Sequence, residues 1–162
     1  MSANPNPLTP QQREMRQTDV PRVAAIERGS YEFPWSPGIF RDCLLAGYAS
    51  AVIEDRGDVV AYAMMSVATG EAHLLNLCVD GSVRRLGYGR RLLETMMQLA
   101  LGAGAGRLYL EVRASNDAAL ELYLRAGFER IGVRRRYYRA ATGSEDAVLL
   151  AKSLRGQAES RS

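Results

Sequence analysis

Apolar positions along the chain change their spacing several times, and each change marks an element. Val23 and Ile26, with Ala24 beside them, form the inner face of a helix that opens at Thr18-Asp19-Val20-Pro21, a capping residue followed by a proline suited to the first turn. Phe33-Pro34-Trp35-Ser36-Pro37 interrupts the pattern and starts a second capped helix that runs to about Leu45. Residues 48–54 and 59–67 are apolar strands on either side of Asp55-Arg56-Gly57-Asp58, whose Arg56-Gly57 and Gly57-Asp58 steps suit a tight hairpin. A further strand runs from about Ala72 to Val79. Residues 87–101 return to helical spacing, with Leu92, Leu93, Met96, Met97 and Ala100 at core positions, and the glycines at 102, 104 and 106 end that helix. Residues 107–113 read as a strand. Residues 116–125 read as a helix closed by Ala126-Gly127, with glycine just past its end. Residues 128–135 and 147–151 read as the last two strands. Antiparallel strands followed by strand–helix–strand–helix–strand predict a mixed α/β sheet.

The chain of 162 residues suits one domain, expected over 13–154, with polar ends at 1–12 and 155–162 expected to be flexible. With 47% hydrophobic and 24% charged residues it has the balance of a soluble globular protein. No apolar run reaches the roughly 18 residues of a membrane span, and residues 1–10 have neither a basic start nor an apolar stretch, which argues against a signal peptide. Two cysteines, Cys43 and Cys78, are too few for a disulfide framework and suggest a reducing, cytoplasmic setting. His73 is the only histidine, so no metal cluster or histidine-based triad is expected. Lys152 is the only lysine; every other cationic side chain is arginine. Genomic base composition accounts for that bias, yet guanidinium forks also suit phosphates, and the pairs Arg84-Arg85 and Arg90-Arg91 flank one loop. The net charge of +3 is modest and no nucleic-acid-binding motif is present, so no nucleic-acid partner is expected.

That loop lies between the strand ending at Val79 and the long helix: Val79-Asp80-Gly81-Ser82-Val83-Arg84-Arg85-Leu86-Gly87-Tyr88-Gly89-Arg90, with Arg84-x-x-Gly87-x-Gly89 at its core. Glycines admit unusual backbone shapes and a close ligand approach. The helix N-terminus that follows favours an anion, and the arginines add charge-assisted bonds. A plain strand-to-helix turn would have the same glycines. No Gly-Lys-Ser/Thr follows, and Leu92 stands where a dinucleotide fingerprint needs its third glycine. A phosphate-bearing ligand outside those two classes is the expectation. On the strand 107–113, Leu108, Leu110 and Val112 face one side while Tyr109, Glu111 and Arg113 face the other. Glu111 reads either as a desolvated base or as a partner of Arg113 or another arginine. Tyr123, one turn from Ala119 with Leu120 and Leu124 on its core side, reads either as a proton donor or as an ordinary buried tyrosine.

The loop resembles the acetyl-CoA pyrophosphate motif of the GNAT family of N-acetyltransferases, Gln/Arg-x-x-Gly-x-Gly/Ala. Leu74-Leu75-Asn76-Leu77-Cys78-Val79-Asp80 resembles the strand before that motif. Asn116-Asp117-Ala118-Ala119-Leu120-Glu121-Leu122-Tyr123-Leu124-Arg125-Ala126-Gly127-Phe128 resembles the family's Asn-x-x-Ala-x-x-x-Tyr-x-x-x-Gly-Phe segment. The three lie in order at matching spacing, and the likeness covers about Arg13 to Leu154. Phe33-Pro34-Trp35-Ser36, Leu110-Glu111-Val112-Arg113-Ala114-Ser115-Asn116, and Arg135-Arg136-Tyr137-Tyr138 with Glu145-Asp146-Ala147 are similar to the family's RimI branch, which acetylates the N-terminal alanine of a small-subunit ribosomal protein.

The resemblance implies a mixed sheet of six to seven strands flanked by about four helices, acetyl-CoA as co-substrate without a metal, and the N-terminal segment of a protein as acceptor. It implies Glu111 as proton acceptor and Tyr123 as proton donor near the thioester sulfur. Amides of Arg85, Leu86, Gly87, Tyr88, Gly89 and Arg90 would hold the pyrophosphate. Leu77, Cys78 and Val79, on a strand splayed from its neighbour, would offer free backbone groups to pantetheine, and Asn116 would bind the cofactor as well as cap its helix. Cys78 is read as a small buried hydrophobe rather than an acetyl carrier, because the motif is that of direct transfer. Phe33, Trp35, Tyr137 and Tyr138 would wall the acceptor site, with ordinary packing the competing role. The RimI likeness and a small-amine acceptor, such as a polyamine or an antibiotic, make different demands: an open peptide channel against a closed acidic pocket.

Overall fold

The computed structural model describes residues 9–155. Its strands are β1 (Gln11–Arg13), β2 (Ala49–Asp55), β3 (Asp58–Ala68), β4 (Glu71–Val79), β5 (Arg107–Arg113), β6 (Glu129–Ala140) and β7 (Gly143–Ser153). Its α-helices are α1 (Val20–Ser30), α2 (Pro37–Leu45), α3 (Tyr88–Gly102) and α4 (Asp117–Arg125). The strands form one mixed sheet in the order β1-β2-β3-β4-β5-β7-β6, with β4 and β5 parallel and β1–β2, β2–β3, β5–β7 and β6–β7 antiparallel. No helix among the described residues is long and apolar enough to cross a membrane.

Two units share this sheet. One comprises the described residues up to Met65 together with 76–96. In it, Val59–Met65 of β3 are all buried, a continuous apolar run rather than an alternating one, as a strand covered on both faces requires. Val20, Val23 and Ala24 of α1, Phe40 of α2 and Leu92, Leu93 and Met96 of α3 are likewise buried. The hairpin between β2 and β3 turns at Arg56 (φ 56°) and Gly57 (φ 88°), the left-handed pair that matches the twist of the flanking strands.

The other unit comprises Ser66–Leu75 with the described residues from Met97 on. Here Leu108, Leu110 and Val112 of β5 are buried, with Val148 and Leu150 of β7 opposite Val112 and Leu110; Ala147 and Ala151, opposite Arg113 and Tyr109 on the other face, are buried as well. Pairing of β4 with β5 runs from Glu71↔Arg107 to His73↔Tyr109, whereas β5 pairs with β7 along its whole length.

Three elements depart from the sequence reading. β1 lies partly in the stretch expected to be flexible: Gln11 and Gln12 pair with Glu54 and Ile53 of β2, and Arg13 anchors the strand through Asp19 and Glu54. Residues 1–8 of that stretch and residues 156–162 lie outside the described residues. β6 and β7 are longer than anticipated and form a continuous hairpin closed at Gly143 (φ 119°). Asp19 does not cap α1 with its side chain; its carboxylate accepts from Arg13 and from the backbone N–H of Arg16 instead. The second helix does begin with its expected cap, Ser36 Oγ accepting from the N–H of Ile39.

Candidate active site

The glycine loop follows β4. The N–H of Asp80 donates to Val60 O at 2.8 Å, extending the β4 edge against β3. The Asp80 carboxylate then accepts from the N–H of Ser82 and pairs with Arg22 at 2.8 Å, contacts that hold its carboxyl below the ordinary range. Beyond this fixed point Arg85 (φ 69°) and Gly87 (φ 81°) both adopt left-handed backbone, and α3 starts at Tyr88 with the Arg91 N–H donating to Gly87 O. The first-turn amides of an α-helix have no partner within the helix. Left-handed residues preceding them turn successive N–H groups toward one concavity, the shape that binds anions. Arg84, Arg85, Leu86 and Gly87 are exposed, and Arg90 is held at 3.2 Å by Glu94 one turn on. These features fit a phosphate group. The Tyr88 ring is buried and its hydroxyl donates to Asp55 at 3.0 Å, which leaves its backbone as the part available to the loop.

The end of β4 is less open than the sequence suggested. Leu77 O accepts from the Tyr31 hydroxyl at 3.2 Å and Val79 O from Arg84 Nε at 3.3 Å. Val79 O also takes a weak contact from Cys78 Sγ at 3.9 Å. Cys78 is buried between them.

Phe33 and Trp35 sit between α1 and α2. The Trp35 ring tilts onto Phe40 at 5.1 Å, and Phe40 meets Tyr62 edge-on at 5.6 Å, so packing is part of the role of Trp35. Its backbone is fixed by a residue that the sequence reading passed over. Glu27 of α1 is 2% exposed; its Oε2 accepts from the Trp35 N–H at 3.0 Å, and its Oε1 accepts from the Tyr62 hydroxyl at 2.5 Å and from Asn76 Nδ2 at 2.9 Å. Burial pushes the Tyr62 phenol well up, which keeps it protonated as a donor. Val20, Val23, Ala24 and Glu27 stand at i, i+3, i+4 and i+7, so the signal was present: an acidic residue at a core position of an amphipathic helix.

In the second unit, β5 carries Tyr109, Glu111 and Arg113 half-buried on one face, as the alternation required. Glu111 Oε2 meets His73 Nε2 of β4 at 2.9 Å. Arg113 Nη1 lies 3.3 Å from Glu145 Oε2 and donates to Arg139 O at 2.6 Å. The other oxygen of Glu145 accepts from the N–H of Ser115 at 2.7 Å. The expected Tyr137-Tyr138 loop is instead part of β6. A break in register between Arg134 and Tyr138, with Arg136 left-handed (φ 54°) and its N–H donating to Asp146, turns the two rings onto each other at 4.9 Å. Arg113 lies 4.6 Å over the Tyr138 ring. Burial first, and then the charge of Glu111, push the Tyr138 phenol up to about 12.

Asn116 caps α4, its Oδ1 accepting from the Ala119 N–H at 3.1 Å. Tyr123 is 7% exposed and stacks edge-on with Phe128 at 5.7 Å. Leu124 is 51% exposed, so it does not share the core side with Tyr123; one residue along the helix turns it about 100° away. Among the described residues no group of three or more His, Cys, Asp or Glu could hold a metal ion.

Residues 20–128 match the profile of the Acetyltransferase (GNAT) family. The chain is 39% identical over 134 residues, 83% of its length and 90% of the relative's, to the [ribosomal protein bS18]-alanine N-acetyltransferase of Escherichia coli strain K12. It is 36% identical over 148 residues to the N-alpha-acetyltransferase RimI of Mycobacterium tuberculosis, covering 87% of this chain and 90% of that protein. Among solved structures, the crystal structure of the ribosomal-protein-S18-alanine N-acetyltransferase from Escherichia coli superposes with a TM-score of 0.84 at 36% identity, over 90% of this chain and 94% of that one.

Proposed function

Because the chain belongs to the GNAT family of acetyltransferases, we propose that it transfers the acetyl group of acetyl-CoA to the α-amino group of an N-terminal alanine, most specifically that of ribosomal protein bS18. The 39% identity across 83% of the chain to an enzyme of that specificity carries the reading. The left-handed Arg85 and Gly87 before α3, with arginines around them, support a pyrophosphate seat made by the amides of 85–90. The edge at Leu77, Cys78 and Val79 would receive the pantetheine amides, and Asn116 would add a side-chain contact. Phe33, Trp35, Tyr137 and Tyr138 would contact the acceptor peptide. With acetyl-CoA as co-substrate and a ribosomal protein as acceptor, the reaction would take place in the cytoplasm without a metal.

An α-ammonium group with an ordinary pKa of about 8 is mostly protonated near neutrality. In this reading Glu111 takes that proton, the freed nitrogen bonds to the thioester carbonyl carbon, and the C–S bond breaks with its electrons going to sulfur. Tyr123 gives the sulfur a proton and is restored by the second proton of the nitrogen. Donors aimed at the developing oxyanion would lower the barrier further.

The test is incubation with acetyl-CoA and a panel of N-terminal peptides, read by mass spectrometry. Acetyl on the α-amine of alanine-initiated peptides, absent from their formyl-blocked forms and indifferent to Lys→Arg changes inside the peptide, is the expected result. Acetyl on lysine side chains would remove the N-terminal assignment. Turnover of a polyamine or aminoglycoside, with every peptide inert, would replace it with a small-amine acceptor.

A further inference from the structure

His73 is the only histidine of the chain, and its ring nitrogen lies 2.9 Å from Glu111. Parallel pairing of β4 with β5 sets His73 opposite Tyr109, and Glu111 is the next residue of β5 on the same face. The contact takes up one carboxylate oxygen, Oε2, and leaves Oε1 to other groups. The two side chains differ in access: His73 is 39% exposed and Glu111 19%, so the imidazole is the more solvent-exposed member of the pair. The charged or titratable groups around it are Tyr109 and Arg113 on β5, Tyr138 on β6 and Glu145 on β7. Arg113 and Glu145 pair with each other. Arg107 lies over the Tyr109 ring.

We propose that His73 is a positioning residue for Glu111, the group that removes a proton from the acceptor amine. The proposal rests on Glu111 being the base. The Nε2–H of the imidazole donates to Oε2, so the carboxylate presents Oε1 in one orientation. When Oε1 takes a proton from the ammonium, the carboxyl group keeps its contact with Nε2–H through Oε2 and then gives up the proton to water. One proton leaves the amine and one enters solvent, with no other co-reactant. The net reaction of an ammonium with a thioester releases one proton, and this is the path it takes.

The test compares His73→Gln, His73→Ala and Glu111→Gln as full-length enzymes, by kcat and KM for an alanine-initiated peptide from pH 5 to 9, with acetyl-CoA affinity measured separately. His73→Gln is expected to lower kcat about tenfold to a hundredfold, the scale of a misoriented catalytic group. It should also displace the acidic limb of the rate profile and leave the acetyl-CoA Kd unchanged. Free imidazole should restore part of the rate of His73→Ala. A purely structural role would move neither the limb nor the response to imidazole. Loss of the acidic limb in Glu111→Gln combined with an unchanged limb and kcat in His73→Gln overturns the role of His73 and leaves Glu111 as base. Full activity in Glu111→Gln overturns the base reading and this proposal with it. If His73→Gln does not fold, His73→Asn and the imidazole response of His73→Ala decide the matter on the same criteria.

Discussion

Replacing Glu27 with alanine removes the acceptor of three donors that converge in the interior: the Tyr62 hydroxyl, Asn76 Nδ2 and the Trp35 N–H. Stranding a buried donor costs about 1–3 kcal/mol. With the lower end taken for each, since water can enter a small polar void, the sum is about 3 kcal/mol, and lost packing of the side chain raises it toward about 5 kcal/mol. Against a typical stability of about 5–15 kcal/mol this is a large fraction. For a urea slope of about 2 kcal/mol/M the unfolding midpoint falls by about 1.5–2.5 M. Glu27→Gln keeps the shape and one accepting oxygen but turns a donor toward the other N–H groups, so it should lose about 1–2 kcal/mol. Tyr62→Phe should lose about 1 kcal/mol in the native background and almost nothing in Glu27→Ala, because the bond it deletes is already gone. Equilibrium urea unfolding of the native protein, the three single variants and the Glu27→Ala/Tyr62→Phe double variant, followed by fluorescence and far-ultraviolet circular dichroism, measures all of this. A midpoint shift under about 0.5 M for Glu27→Ala would refute the view that the carboxylate holds the Trp35 segment and β4 to α1.

Further outcomes follow from the same geometry. Gly87 has φ +81°, which a β-branched residue resists; Gly87→Val should weaken acetyl-CoA binding at least tenfold, about 1.4 kcal/mol, and unchanged affinity by calorimetry in a folded variant would sink the pyrophosphate assignment. Tyr123→Phe should lower kcat about a hundredfold at unchanged acetyl-CoA affinity, and a wild-type kcat would make the residue a packing element beside Phe128. The bond from Arg13 depresses the carboxyl of Asp19 in the folded protein, so its stabilisation is complete above the unfolded value of about 3.9 and is lost as pH falls through the lower folded value. Stability should therefore decline below about pH 4, and Asp19→Asn should be less stable at neutrality with a shallower acid slope; identical slopes would contradict this.

Local signals were legible where one segment carries its own pattern. The core spacing of Leu92, Leu93 and Met96, the Asn116 cap and the alternation along β5 are all present in the structure as the residues implied. The left-handed turn before α3 was legible because its glycines and arginines lie within a few positions of each other. What escaped depends on pairing between distant segments. β1 is three polar residues, Gln-Gln-Arg, with no apolar alternation; it is a strand because β2 offers an edge and Asp19 and Glu54 offer Arg13 an anchor. The partner of Glu111 is 38 positions away, and only the parallel register of two strands brings it there. Glu27 escaped because a charged residue on a helix is ordinarily read as its solvent face, although its interval from Val20 and Val23 said otherwise. The bulge that reorients Tyr137 and Tyr138 leaves no mark in the sequence beyond a run of arginines.

Lys152 reaches from β7 to the carbonyl of Ala126 at the end of α4, and a side chain in place of Gly127 would meet its ammonium at 2.9 Å. The contact sets a positive charge at the negative end of a helix. It also disposes of the chain's one side-chain amine. The cations beside the glycine loop and along β6 are guanidinium groups, which stay protonated and are poor nucleophiles toward a thioester. A catalyst that activates amines is thus built with almost none exposed to acylation by its own co-substrate, and amine-directed labelling of the folded protein should report Lys152 as a single, slowly reacting side chain whose rate rises when α4 frays.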